Sequence, residues 1–174
     1  MATLLIMALK QESQNVFETN SVQPFYCGVG LLKAAFNAHK LILEHKPSRV
    51  LNLGTAGSHN FKQCTLVECT SFVQRYPNDF YPLKNKTLKT SAISSLPQVI
   101  CGSGDYIETS KPLVQCDVMD MEAYALAYVC GELGVPFNSI KYVSDNSDAD
   151  MVSHWHSALQ DAALKLFNEY QKLK

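Results

Sequence analysis

Three acidic positions stand out for what their neighbours let them do: Glu12 just past an apolar N-terminal run, Glu122 within Met121-Glu122, and Asp145 within Ser144-Asp145-Asn146. A carboxylate can accept hydrogen bonds from a ligand or exchange a proton with it. Glu122 opens a helical pattern, and Asp145 closes the apolar run that starts at Phe137. A strand-helix-strand crossover therefore returns both to one rim of a parallel sheet, where α/β proteins bind ligands. Two more strand exits point to the same rim: Thr3 to Leu9 leads to Glu12, and Val50 to Leu53 leads to Gly54-Thr55-Ala56-Gly57. Gly28 and Gly30 precede a helix whose free N–H groups would face that cleft. Each feature also has a plainer reading. Glu122 could serve a helix dipole, Asp145 and Asp148 a turn or cap, Glu12 a solvated loop, and the glycines tight turns.

The positioning elements follow from periodicity. Strand patterns cover Thr3 to Leu9, Val50 to Leu53, Thr65 to Val73, Val99 to Cys101, Val114 to Met119 and Phe137 to Ser144, several apolar on both faces. Leu31 to His45 carries a helical stripe of Leu31, Ala34, Ala35, Ala38, Leu41 and Ile42, and stops before Pro47. Met121 to Leu133 is a second helix, with Gly134 and Pro136 as its stop. Ser153 can cap a third, whose buried stripe runs from Leu159 to Leu173. Helices that alternate with strands predict a single α/β domain over residues 1–174: a three-layer sandwich around a mixed, mostly parallel sheet.

Composition narrows the partners. The chain has 174 residues, 47% hydrophobic, 18% charged, with a net charge of −1. One domain of that size buries roughly 70% of its unfolded surface and needs no disulfides. Near-neutral charge argues against a nucleic-acid groove or a polybasic membrane patch, which leaves a small neutral molecule as the expected ligand. The apolar start is too short for a signal peptide and no run reaches membrane-spanning length, so a cytoplasmic protein is expected. Six cysteines, with no CxxC pair, read mainly as small core residues. His154 and His156 flank Trp155 at the opening of a helix, where a two-residue spacing does not share a face. Neither a metal nor a cofactor is expected.

The motifs themselves resemble a known family. Val118-Met119-Asp120-Met121-Glu122-Ala123, Gly134-Val135-Pro136-Phe137 and Val143-Ser144-Asp145-Asn146-Ser147-Asp148 are similar to the methylthioadenosine/S-adenosylhomocysteine nucleosidases of the purine nucleoside phosphorylase superfamily. Gly28-Val29-Gly30, Asn52-Leu53-Gly54-Thr55-Ala56-Gly57 and Ser103-Gly104-Asp105 match in the same order, so the similarity spans nearly the whole chain. The resemblance implies the fold of purine nucleoside phosphorylase and hydrolysis of a purine nucleoside's N-glycosidic bond. By the same resemblance, Asp145 would donate a proton to N7 of the purine, beside Ser144. Glu122 would accept the ribose 2′,3′-diol and Met121 would lie against the sugar. Glu12 would activate the attacking water, supported by Thr55 and Lys141, with Ala56 and Gly57 at the same turn. Tyr106 and Ile107 match the segment that holds the base.

Charge placement bears on the nucleophile. Phosphate is normally gripped by guanidinium groups, and this chain has only Arg49, at the wrong end of a strand, and Arg75, in the aromatic stretch Tyr76 to Tyr81. A carboxylate at Glu12 would repel phosphate, so water is the expected attacker. A carboxyl group at Asp145 that donates to N7 and accepts from a 6-amino group favours adenine. The chain departs from the family by being shorter between the first strand and Gly28 and between Val73 and Val99, and by Lys141 where an arginine is usual. A homodimer is expected, because the reduced cover leaves apolar surface for a neighbour.

Overall fold

The computed structural model describes residues 3–76 and 86–174. Phe80 and Tyr81, the end of the aromatic stretch that begins at Tyr76, lie outside them. Strand β1 (Thr3–Met7) shows why the apolar runs lack polar positions. Leu4 and Ile6 join one hydrophobic core, and Leu5 and Met7 join another on the opposite face. β3 (Arg49–Gly57) repeats the division, with Val50 and Ala56 on the first side and Leu51 and Leu53 on the second. Helices cover both faces, so successive side chains are buried whichever way they point.

The strands do not form an open sheet. β8 (Phe137–Asp145) runs parallel to β3 and antiparallel to β4 (Leu66–Gln74). β4 continues in parallel through β6 (Gln98–Ser103) to β7 (Val118–Asp120). β7 then returns to β3 through one antiparallel pair, Gly57 with Met119. These five strands close into a barrel-like ring; β2 (Phe25–Tyr26) and β1 extend from β3, and β5 (Leu88–Lys89) pairs with β4. The α/β class and the mixed sheet match the expectation, whereas the sheet closes on itself instead of forming the middle layer of a three-layer sandwich. A register shift between Ala56 and Gly57 marks where β3 turns toward β7, and such irregularities bend and twist a strand.

The helix Leu31–His45 (α3) has the expected bounds and ends on Lys46 in the left-handed region, just before Pro47. α4 (Ala123–Glu132) packs against α3 on the first face and ends at Gly134, whose φ of +65° closes the last turn. α5 (Met151–Lys172) covers the second face with α1 (Lys10–Ser13) and α2 (Val16–Thr19). Its N-cap position is Asp150, so Ser153 lies inside the helix and does not cap it. The strand expected from Val114 begins at Val118, and Gly54 to Gly57 belong to β3 where a loop was expected. Cys27, Cys69, Cys101 and Cys130 are buried, but Cys64 is exposed. Among the described residues, no helix is long and apolar enough to cross a membrane.

Candidate active site

A cleft of about 330 Å³ opens at the carboxyl ends of β1, β3 and β8. Glu12, Thr55, Ala56 and Gly57 border it from one direction, Met121 and Glu122 from another. Ser144 and Asp145 form a further wall, with Tyr106 and Ile107 on the rim. Lys141 does not line it.

Glu12 sits on the single turn α1, held by hydrogen bonds from two segments. One carboxylate oxygen accepts the Ala8 and Leu9 amides, both at 3.1 Å, reaching back across its own helix start. The other accepts the Thr55 amide and hydroxyl, both at 2.9 Å. Glu12 is therefore buried rather than a solvated loop acid. Gly54 makes this possible, because a Cβ there would stand 3.0 Å from Glu12 Oε1.

Glu122 occupies the N-cap position of α4 but makes no side-chain hydrogen bond to that helix. It accepts the Gly30 amide at 3.0 Å, tying α4 to the start of α3, where Asp105 takes the next amide, from Leu31. Those two N–H groups thus point to protein acids rather than standing free. Gly30 has a φ of +98°, and a Cβ would meet Asp105 at 2.8 Å, so only glycine fits. Beneath Glu122 lies an ion pair absent from the expected site: Lys141 Nζ to Asp120 Oδ2 at 2.9 Å, both side chains almost fully buried. Asp120 also accepts from Ser103 Oγ and the Ala123 amide. Burial works to raise the Asp120 carboxyl, but the Lys141 ammonium and these donors outweigh it and hold it below the usual range. Burial likewise works to lower Lys141, and Asp120 overrides it, keeping the amine charged.

For Glu122, burial comes first and the Asp120 charge second, and together they push its carboxyl up to about 8. Between the ordinary value of 4.5 and about 8, the folded state holds a proton that the unfolded chain has lost, so stability falls as pH rises across that window. Glu122→Gln removes the titration, and its melting temperature, followed against pH, should gain steadily on the wild type from pH 5 to 8. Parallel melting curves would contradict the burial of this acid.

Asp145 ends β8. Its Oδ1 accepts the Ser147 amide at 2.9 Å and its Oδ2 lies 2.7 Å from Ser144 Oγ. The first contact is the local turn of the plainer reading, yet the group is buried and faces the cleft. Gly57 passes directly beside it: a Cβ there would be 2.6 Å from Asp145 Oδ1 and 2.2 Å from Ser147 Oγ.

Arg75 belongs to the cleft rather than to an outlying loop. Its buried guanidinium donates to the Tyr106 carbonyl at 2.7 Å and stacks 4.6 Å from the centre of the Tyr106 ring. Glu108 lies 3.5 Å from Nη1. Arg75 thereby fixes the segment that carries Tyr106 and Ile107. Sequence reasoning gave no role to Asp120, Arg75 or Trp155. Asp120 was visible inside the Val118-Met119-Asp120-Met121-Glu122-Ala123 motif, but its partner Lys141 lies on another strand. Trp155 drew attention only through its flanking histidines, although its indole N–H donates to Thr55 Oγ1 at 2.9 Å.

A sequence profile of the Phosphorylase superfamily matches residues 84–169. With the 5′-methylthioadenosine/S-adenosylhomocysteine nucleosidase of Buchnera aphidicola subsp. Schizaphis graminum, the chain shares 28% identity over 169 residues, covering 79% of this chain and 72% of that one. A crystal structure of the nucleosidase of that name from Helicobacter pylori has a TM-score of 0.86 at 20% identity, covering 99% and 97% of the two chains. A futalosine hydrolase mutant from the same organism has a TM-score of 0.84 at 20% identity, covering 99% and 98%. The matched residues make up just under half of the chain. Two further curated sequences that it is similar to, at 26% and 24% identity, carry the same nucleosidase name.

Proposed function

We propose that this protein hydrolyses the N-glycosidic bond of an adenine nucleoside carrying a 5′-thio substituent, 5′-methylthioadenosine or S-adenosylhomocysteine, and releases adenine. The observation that carries this reading is the meeting of Glu12, Glu122 and Asp145, from three distant stretches, around one cleft. Cleavage builds positive charge on the sugar and negative charge on the departing base. Asp145 donates to N7, so that the base leaves neutral, with Ser144 beside it. Glu122 accepts the two ribose hydroxyls, and Met121 lies against the sugar. Glu12 orients water and takes its proton, with the Thr55 amide and hydroxyl fixing the carboxylate. Ala56 and Gly57 give the sugar and base close access to the backbone. Tyr106 and Ile107 hold the purine, and Leu9, Met151, Val152 and Trp155 offer an apolar wall to the 5′ group. Lys141 acts from below, as the counter-charge to Asp120.

The state of Glu122 gives this reading a pH signature. If the diol is bound by the ionised carboxylate, binding must first remove a proton held up to about 8. Affinity for a nucleoside should therefore rise roughly tenfold per unit from pH 6 to 8 and then level off. A flat affinity over that range would argue against Glu122 as the diol acceptor.

Phosphorolysis is the second reading, and Arg75 is its one specific support: among the described residues, its Nε and Nη1 have no hydrogen-bond partner. Against it, the guanidinium is already engaged by Tyr106 and Glu108, and Glu12 would repel phosphate. The deciding experiment follows base release from methylthioadenosine, adenosine and inosine with and without phosphate. Release without phosphate supports hydrolysis, a strict phosphate requirement overturns it, and binding without release marks a non-catalytic nucleoside-binding protein. We further propose a homodimer in the cytoplasm. Leu32 and Phe36, 83% and 69% exposed on α3, offer an apolar face to a second copy, and the free cysteines suit a reducing compartment.

A further inference from the structure

We propose that Trp155 is a positioning residue for Glu12, acting through the hydroxyl of Thr55; this rests on the reading of Glu12 as the group that activates water. An indole nitrogen can only donate, and Trp155 Nε1 donates to Thr55 Oγ1 at 2.9 Å. A threonine hydroxyl has a single proton and otherwise rotates freely. With one lone pair occupied by the indole, that proton is left for Glu12 Oε1, also at 2.9 Å. The same carboxylate oxygen takes the Thr55 amide. Three elements are thus linked in series: α5 through Trp155, β3 through Thr55 and α1 through Glu12. Among the described residues, the Thr55 hydroxyl has these two side-chain partners, Glu12 as acceptor and Trp155 as donor. The aromatic body of Trp155 lines the cleft as well, so a packing role must be separated from an orienting one.

Trp155→Phe keeps most of the ring and removes the N–H, while Thr55→Val keeps the shape of threonine and removes the hydroxyl. In base release from methylthioadenosine, Trp155→Phe should lower kcat roughly five- to tenfold, the worth of one hydrogen bond, with KM little changed. In the Thr55→Val background it should add no further loss, because the link it acts through is already gone. Losses that multiply, or a change confined to KM, would overturn the proposal in favour of packing against the ligand. A second measurement does not depend on turnover. Trp155 is the only tryptophan, so a nitrogen-15 spectrum of the ligand-free protein contains one indole N–H resonance. That resonance should move with Thr55→Val and with Glu12→Gln, and stay in place with Thr55→Ser. If no variant and no wild type releases base, the nucleosidase reading fails, and the resonance alone decides the positioning: a signal that ignores both Thr55→Val and Glu12→Gln overturns it.

Discussion

Replacing Asp145 by asparagine should reduce base release by about 10²–10⁴ while leaving nucleoside affinity within roughly tenfold of the wild type. The asymmetry comes from what the amide keeps. Its oxygen can still accept the Ser147 amide that Asp145 Oδ1 accepts, and its nitrogen can face Ser144 Oγ and the base as a donor. What it cannot do is transfer a proton to N7. Binding therefore survives and bond breaking does not, a pattern read from kcat in single-turnover experiments and from Kd by calorimetry. Equal losses in both would mean that Asp145 only shapes the pocket.

A comparably large effect, on stability, is expected from Lys141→Met. The substitution keeps much of the side-chain volume but leaves the Asp120 carboxylate buried without its cation. Breaking one side of a buried pair costs about 3–5 kcal/mol, far more than the net worth of the intact pair. Denaturant unfolding should show that loss at neutral pH, and the double variant Lys141→Met, Asp120→Asn should recover much of it, since no unpaired charge remains. A single variant as stable as the wild type would show that Asp120 finds another partner. The site should respond too. Lys141 is among the charges that hold Glu122 down, so its removal should move the pH dependence of ligand affinity to higher pH.

The sequence carried the site further than it carried the sheet. Three acids at strand exits are legible because strand and helix periods fix which end of each element a residue occupies, and Glu12, Glu122 and Asp145 do border one cleft. α3 was legible to its last residue because an apolar stripe and Pro47 bound it. Ring closure was not legible: it depends on β7, three residues long, and on its one pairing with Gly57, too little chain to show a period. Nor was α1, a single turn with no repeat of its own. Glycine misled at Gly54 and Gly57, which signal turns by propensity but here leave room inside a strand for Glu12 and Asp145. The Asp120 and Lys141 pair, like the contact between Trp155 and Thr55, joins residues whose proximity is set by topology alone.

Closing the sheet through Gly57 and Met119 has a mechanical consequence. The backbone at the floor of the cleft forms a hoop, and a hoop cannot widen without rupturing one of its seams. The cleft is open past its rim, where Tyr106 and Ile107 stand partly in solvent, while Thr55 and Asp145 at its floor belong to paired strands of the ring. Thr55 and Asp145 thus ride on the closed ring, and the exposed side chains stand at its margins.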